Sequence, residues 1–335
     1  VNKKDFFRFV EWWHVKVSLF FGLLSFFALH EQLNFSVYLS HVGKSFLMLL
    51  PVAAWANLAN DYGDIESDAL AGKPNRLSTW PKGLAFLVTF ASIPLLLVLP
   101  WWWLGNGIAF YLVLGIILSF FCYSITPFRF KNRGWLGVLM DASGTQLLPG
   151  LFALYLIAPS PSSWIVLFTA IWLFSSGCRL HLVHQYQDRA NDLRANLTTV
   201  LTAHNSLQVQ KGVQYILAPL ELGSLIVLFF ITHQYFFLLV VLLFFLHQFI
   251  VRQKLGIKTV LFSVEERERV WLASFYNYGL LFTGLVIASW QLDPWYLLAL
   301  LTFAILFMRA YTDELKELLH IVRWWRSMGS TNERS

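Results

Sequence analysis

The sequence predicts an all-α, polytopic membrane protein, and three observations carry that expectation. Of 335 residues, 57% are hydrophobic and only 13% are charged, whereas soluble globular domains carry roughly 25% charged residues. The apolar residues fall in blocks close to the ~20 residues that one helix needs to cross a bilayer. Lys and Arg collect in alternate connections between those blocks, as they do in helical membrane proteins. This composition excludes a soluble enzyme and a disordered chain. The net charge of +6 is scattered among membrane loops and therefore implies no nucleic-acid partner.

Apolar runs bounded by charge give ten candidate spans, near 13–33, 42–60, 83–104, 107–125, 135–157, 163–184, 213–232, 234–251, 271–290 and 294–310. The first follows Lys3, Lys4 and Arg8. Its apolar stretch exceeds the about 7–15 residues of a signal peptide's core, so it reads as a retained helix. The second runs into an acidic stretch, and the third ends at Trp101, Trp102 and Trp103. The fourth closes at Tyr123 and Ser124, the fifth carries Asp141, and the sixth closes on a second acidic stretch. Only His233 and Gln234 separate the seventh from the eighth. The last two are followed by a tail, Asp313–Arg326, whose charges alternate with Leu and Trp at helical spacing and which is expected to lie along the membrane surface. With the N-terminus inside, 23 of the 25 Lys and Arg fall in the N-terminal part, the connections 61–82, 126–134, 185–212 and 252–270, and the tail from Arg309; Lys44 and Arg179 are the exceptions. That asymmetry predicts both termini on the cytoplasmic side, with a prokaryotic cell membrane as the expected setting. Trp12–Trp13, Trp101–Trp103 and Trp324–Trp325 read as interfacial belts. Cys122 and Cys178 lie far apart in apolar runs and offer neither a disulfide framework nor a metal motif. With no long linker or repeat, residues 1–335 read as one domain.

The 19 acidic residues cluster where spans end. At about 100° per residue, Asn57, Asp61, Asp64 and Asp68 fall within an arc of about 60° on one helix face. Carboxylates crowded beside a low-dielectric core repel one another and require a cation. At the end of span six stand His181, His184, Gln185, Asp188 and Asp192; the two acids, four apart, share a face. Both acidic ends fall on one side of the topology and can face each other across a cavity. Mg²⁺ is held by one or two carboxylates together with substrate phosphates. Zinc is disfavoured, because no HExxH motif or cysteine partner accompanies the histidines, and His184 reads equally well as a buried structural residue. Lys73-Pro74-Asn75-Arg76 and the segment from Tyr123 through Arg129 to Lys131 supply basic residues that could neutralise phosphate oxygens. Asp141, deep in an apolar run, is either functional or a structural acid paired with Thr145 or with an Arg of another helix.

These residues resemble the signature of the UbiA superfamily of intramembrane prenyltransferases. Asn60, Asp61, Asp64 and Asp68 match NDxxDxxxD, and Lys73 to Arg76 match the basic element that follows it. Asp188 and Asp192 match DxxxD, while Tyr123, Ser124, Pro127 and Lys131 match a Tyr-Ser-x-x-Pro…Lys element. Asn196-Leu197-Thr198-Thr199-Val200 is similar to the family's Gly-x-x-Thr-Leu with its glycine replaced, and Leu77-Ser78-Thr79 stands where Pro-Leu is common. The resemblance covers about 10–290 and implies a bundle of nine helices. The span near 294–310 and the tail, about 291–335, would then be additions. It implies that Asp61, Asp64, Asp68, Asp188 and Asp192 bind Mg²⁺, expected as two ions, that grip a prenyl diphosphate. Lys73, Arg76, Arg129 and Lys131 would cradle the diphosphate, with Asn57, Asn60, Tyr123 and Ser124 assisting.

The implied reaction transfers an isoprenyl group to an acceptor and releases diphosphate. Metal and cations stabilise the leaving group, a dry pocket protects the carbocation, and Phe120, Phe121 and Tyr123 are candidates for cation–π contact with it. An aromatic acceptor is expected on family analogy, with Asp141 or His181 as proton acceptor or acceptor-binding group. Two alternatives stay open. A UbiA-type terpene cyclase would share the metal site and need no acceptor. A cation-coupled transporter is disfavoured, because its ionisable groups would sit near the bilayer midplane among inverted repeats.

Overall fold

The computed structural model describes residues 13–262, 268–309, 311–312, 315–316 and 318–319. The N-terminal cations Lys3, Lys4 and Arg8, Trp12, the Trp324–Trp325 pair and most of the tail Asp313–Arg326 lie outside the described residues.

Each predicted span has a helical counterpart. In chain order these are α1 (Ser18–His30), α2 (Phe35–Ala71), α3 (Lys82–Phe90) with α4 (Ile93–Leu104), α5 (Ile108–Ser124), α6 (Trp135–Ala142) with α7 (Leu148–Ile157), and α8 (Ser163–Arg194). After the short helices α9 (Val200–Ala203) and α10 (Ser206–Gly212) come α11 (Ala218–Ile231), α12 (Phe236–Leu255), α13 (Leu280–Gln291) and α14 (Tyr296–Leu306). Helices are the expected answer to these runs, because a lipid-facing backbone must satisfy its own hydrogen bonds. The continuous helical stretches 35–71, 82–104, 163–194, 206–231 and 236–255 are long and apolar enough to cross a membrane. One small feature is not helical: Lys258–Val260 pairs in parallel with Glu268–Val270.

Several helices depart from their predicted bounds, each for a local reason. Helix α2 begins seven residues before the predicted span because the Asn34 side chain caps it, accepting the Val37 N–H at 3.0 Å. It runs on to Ala71, so its 37 residues extend about 55 Å. The 82–104 run is broken before α4, where a proline in the first turn suits a new helix start. Segments of π-helix at Trp13–Val17, Ser143–Leu147, Val213–Leu217 and Phe275–Gly279 interrupt four spans. Within the predicted loop 185–212, α8 continues to Arg194 and a Thr199–Thr202 capping box starts α9.

Helix α8 packs on α11 and on α6, α1 on α13, and α5 on α2 and α7. The centre is filled by Trp55, Trp172, Phe26, Phe152, Phe229 and Phe275, all fully buried. Trp102, Trp290, Leu301 and Ile305 point outward, as lipid-facing side chains do. Helix α14 is tied in: Trp13 Nε1 donates to the Leu306 carbonyl at 3.0 Å and Tyr296 Oη to the Leu33 carbonyl at 2.9 Å. Phe303 packs on Phe21, with ring centroids 5.0 Å apart. This assembly brings the C-terminal ends of α2, α5 and α8 to one end of the bundle.

Candidate active site

The acidic face of α2 forms as its helical spacing dictates, and Asp61 and Asp64 are buried. Buried carboxylates are costly unless paired, and each acid of this face meets a donor. Lys131 Nζ is 2.5 Å from both carboxylate oxygens of Asp64. Arg129 Nη2 donates to Ser67 Oγ at 3.0 Å and lies 3.4 Å from Asp64 Oδ1. Arg76 Nε pairs with Asp61 Oδ2. Asn75 Nδ2 donates to the Asp61 carbonyl and to Asp68 Oδ2, each at 2.8 Å. Gly72 makes the return possible: at φ +70° it takes a conformation that costs glycine little, and the Lys73 N–H bonds back to the Asp68 carbonyl at 2.8 Å. The turn that follows does not need Pro-Leu, since Asn75 Oδ1 accepts the Leu77 N–H at 2.9 Å and Ser78 Oγ donates to the Asn75 carbonyl at 2.7 Å.

The second acidic wall meets the first. Lys73 Nζ donates to Asp188 Oδ1 at 3.1 Å, as does Asn191 Nδ2 at 3.3 Å. Nearby, the Gly134 N–H donates to the Thr198 carbonyl at 2.9 Å, fastening the 125–134 segment to the chain after α8. Between the walls lies a cavity of about 210 Å³, lined among others by Asn60, Asp64, Asp68, Lys131, Asp188 and Asp192. Gly63 lets α2 approach α5: a Cβ there would strike the Ser124 carbonyl at the end of α5.

A second chamber of about 420 Å³ adjoins the first and shares Asn60, Tyr123, His181, His184 and Asp188 with it. Its far walls are apolar, with Phe20, Phe46, Leu49, Ile116 and Phe120. At the seam, His181 Nδ1 lies 3.1 Å from Asp141 Oδ2, and the Tyr123 ring meets the imidazole edge-on at 5.8 Å between centroids. Thr145 Oγ1 donates to the Asp141 carbonyl at 2.7 Å and lies 3.4 Å from Asp141 Oδ2.

The structure sorts the predicted residues. Asn60, Lys73, Tyr123 and Lys131 line the acidic cavity with Asp64, Asp68, Asp188 and Asp192. Asn57 and Ser124 line the apolar chamber instead, and the Asn57 amide donates to the Ala53 carbonyl at 2.8 Å. Asp61, Arg76 and Arg129 line neither chamber and brace the acidic face through the bonds above. Phe120 and Tyr123 line the apolar chamber, while Phe121 does not. His184 is exposed toward both spaces, so the reading of it as a buried structural residue fails: α8 turns it into the cavity rather than into packing. Asp141 is paired chiefly with His181 and, among the described residues, with no arginine.

Sequence reasoning missed two features. Lys16 lines the apolar chamber; its signal was a cation inside an apolar run. Arg179 and Glu221 form a wholly buried bidentate pair, Nε to Oε2 at 2.6 Å and Nη2 to Oε1 at 2.7 Å. Tyr276 Oη also donates to Glu221 Oε1, at 2.6 Å. The signal was a lone Arg and a lone Glu in separate apolar spans.

Among the described residues, no three His, Cys, Asp or Glu side chains converge tightly enough to hold a metal unaided. Oxygen ligands on two facing walls, interleaved with lysines, fit a hard divalent cation whose coordination shell is completed by phosphate oxygens and water. Ser124 Oγ, buried and without a hydrogen-bond partner among the described residues, belongs to a residue that lines the adjoining apolar chamber.

A UbiA prenyltransferase family model matches residues 18–262. Solved structures of a UbiA homolog from Archaeoglobus fulgidus share the fold. The one bound to Cd²⁺ is 16% identical with a TM-score of 0.55, over 83% of this chain and 99% of that one. The one bound to GPP and Mg²⁺ is 17% identical with a TM-score of 0.50, over 92% and 96%. A third, bound to DMAPP and Mg²⁺, is 18% identical with a TM-score of 0.50, over 67% and 76%. No curated protein matches the chain by sequence.

Proposed function

The chain belongs to the UbiA prenyltransferase family, and from that premise we propose that it transfers an isoprenyl group from a prenyl diphosphate to an aromatic acceptor, with Mg²⁺ as cofactor. The observation that carries this reading is the juxtaposition of two spaces: an acidic cavity laced with lysine, opening onto a larger, mostly apolar chamber. An allylic diphosphate has the same two halves. The relatives that hold DMAPP or GPP with Mg²⁺ support the same donor class here.

In this reading Asp64, Asp68, Asp188 and Asp192 hold Mg²⁺, expected as two ions, with Asp61 keeping Arg76 and the acidic face in register. Mg²⁺ supplies Lewis-acid neutralisation of the diphosphate. Lys73 and Lys131, which neutralise Asp188 and Asp64, are the groups that would meet phosphate oxygens as the C–O bond breaks and charge moves onto the leaving group. The hydrocarbon lies in the apolar chamber, where the ring faces of Phe120 and Tyr123 would stabilise the developing carbocation and water is kept away. The basic connections at this end argue for a cytoplasmic active site.

The test is turnover of geranyl diphosphate by the protein in liposomes. Mg²⁺-dependent pyrophosphate release that requires an added phenol supports transfer. Hydrocarbon or alcohol products without acceptor would identify a cyclase, and no release at all would overturn the enzymatic reading.

A further inference from the structure

Asp141 and His181 are not equivalent. The Asp141 carboxylate keeps 18% of its surface exposed and lines the apolar chamber. Its Oδ2 is taken by His181 Nδ1, while Oδ1 makes no hydrogen bond among the described residues. His181 has neither nitrogen to spare. Its Nδ1 faces Asp141, and its Nε2 lies 3.1 Å from Gln185 Nε2. The Gln185 amide is oriented by its other end, because Oε1 accepts the Val200 N–H at 3.1 Å, so an N–H points at the imidazole. An imidazole nitrogen that meets a donor presents its lone pair. His181 is therefore the neutral tautomer with its proton on Nδ1, donated to Asp141.

Charge in the chamber points to the acceptor's class. Among the described lining residues, Lys16 is the one Lys or Arg and is set against Asp141, while Asp188 is already answered by Lys73. Lys73 and Lys131 line the acidic cavity and not this chamber. An acceptor carrying its own carboxylate would bring a second anion beside Asp141 with no unclaimed cation to meet it, and like charges repel strongly beside a low-dielectric core.

Resting on the prenyl-transfer reading above, we propose that Asp141 Oδ1 binds the hydroxyl of a neutral phenolic acceptor and takes its proton, with His181 acting only to position Asp141. As the donor's C1–O bond breaks, its electron pair leaves with pyrophosphate and the acceptor's ring carbon bonds to C1. The phenolic proton passes to Asp141 Oδ1. The resulting dienone regains aromaticity by moving its ring proton to oxygen, which changes no net charge, and Asp141 then gives its proton to water or to the departing pyrophosphate.

The test uses the full chain in nanodiscs with geranyl diphosphate, Mg²⁺ and either 2-naphthol or 3-hydroxy-2-naphthoate. We expect kcat/KM for 2-naphthol to exceed that for the hydroxynaphthoate by at least ~10-fold. Asp141→Asn should lower kcat by ~100-fold, in the range of lost proton transfer, with the Kd for donor within ~2-fold of wild type. A second pair of variants separates positioning from base chemistry and does not depend on the folding of Asp141→Asn. The Asn of His181→Asn carries an N–H where the imidazole Nδ1 stood, so it should retain activity within ~10-fold, whereas His181→Ala should fall as far as Asp141→Asn. If His181→Asn is as inactive as His181→Ala, the positioning role is overturned. A fully active Asp141→Asn, preference for the carboxylate (which would make Lys16 the recruiting group), equal use of the two phenols, or product from neither overturns the proposal while the diphosphate site stands. Loss of Mg²⁺-dependent donor binding in the wild-type protein overturns both readings.

Discussion

Asp61 and Asp64 stand three residues apart in the same motif, yet the fold gives them different work. Asp64 lines the acidic cavity and is held by Lys131 and Arg129, whereas Asp61 is buried against Arg76 and Asn75 outside it. Asp64→Ala and Asp188→Ala should therefore each reduce turnover by more than ~100-fold while the protein still inserts and folds, read as activity against thermal unfolding. Retained turnover in either would sink the site assignment. Arg76→Ala should instead act on stability, since it leaves Asp61 as a buried, unpaired charge. The loss expected from breaking such a pair is roughly 3–5 kcal/mol, seen as a lowered Tm before any change in donor affinity. That division between cavity acid and bracing acid was invisible in the motif, because spacing fixes the face of a helix but not which neighbour turns toward it.

Helices α2 and α8, with 37 and 32 residues, extend about 55 and 48 Å, well beyond a hydrocarbon core of about 30 Å. Their surplus carries the acids past the apolar layer, where they can remain ionised. The contact between α2 and the end of α5 depends on Gly63, and Gly63→Ala should cost ~1–3 kcal/mol by overpacking. It should also weaken donor binding, because Asp64 would be moved off Lys131; binding measured by calorimetry at unchanged affinity would show that the contact is not needed. A different pair of elements is locked by Arg179 and Glu221, which join α8 to α11 and, through Tyr276, to the π-helical turn before α13. Glu221→Gln leaves the Arg179 charge uncompensated. It should destabilise the protein by roughly 3–5 kcal/mol without changing the chemistry that the remaining folded fraction performs.

At the scale of the bundle, the acidic ends of α2 and α8 and the basic segments 73–76 and 129–131 occupy one end, and α14 is anchored by aromatic packing on α1 and by hydrogen bonds to Trp13 and Leu33 on either side of it. The proposed orientation places that end in the cytoplasm. Ser78→Cys should then resist a membrane-impermeant maleimide in intact cells while Asn106→Cys, at the opposite end, reacts; the reverse pattern would invert the topology. Chelation of divalent ions should abolish turnover and return it on adding Mg²⁺, a check on whether the acidic cavity works through its metal.

Apolar run length and the phase of charged residues fixed the helical class, the position of the spans and the faces on which the acids lie, because these are properties of a short stretch of chain and its solvent. The motifs made the likeness to a prenyltransferase family legible for the same reason: their spacing is local. The π-turns were less legible, since the breaks at 143–147 and 275–279 depend on neighbouring packing more than on propensity, whereas the Asn34 cap is a local bond three residues long. Contacts across long separations belong wholly to the tertiary structure. Lys73 meets Asp188 across 115 residues and Lys131 meets Asp64 across 67, while Arg179 finds Glu221 across 42. A sequence can require that a buried charge be answered; only the packing of helices against one another selects the side chain that answers it.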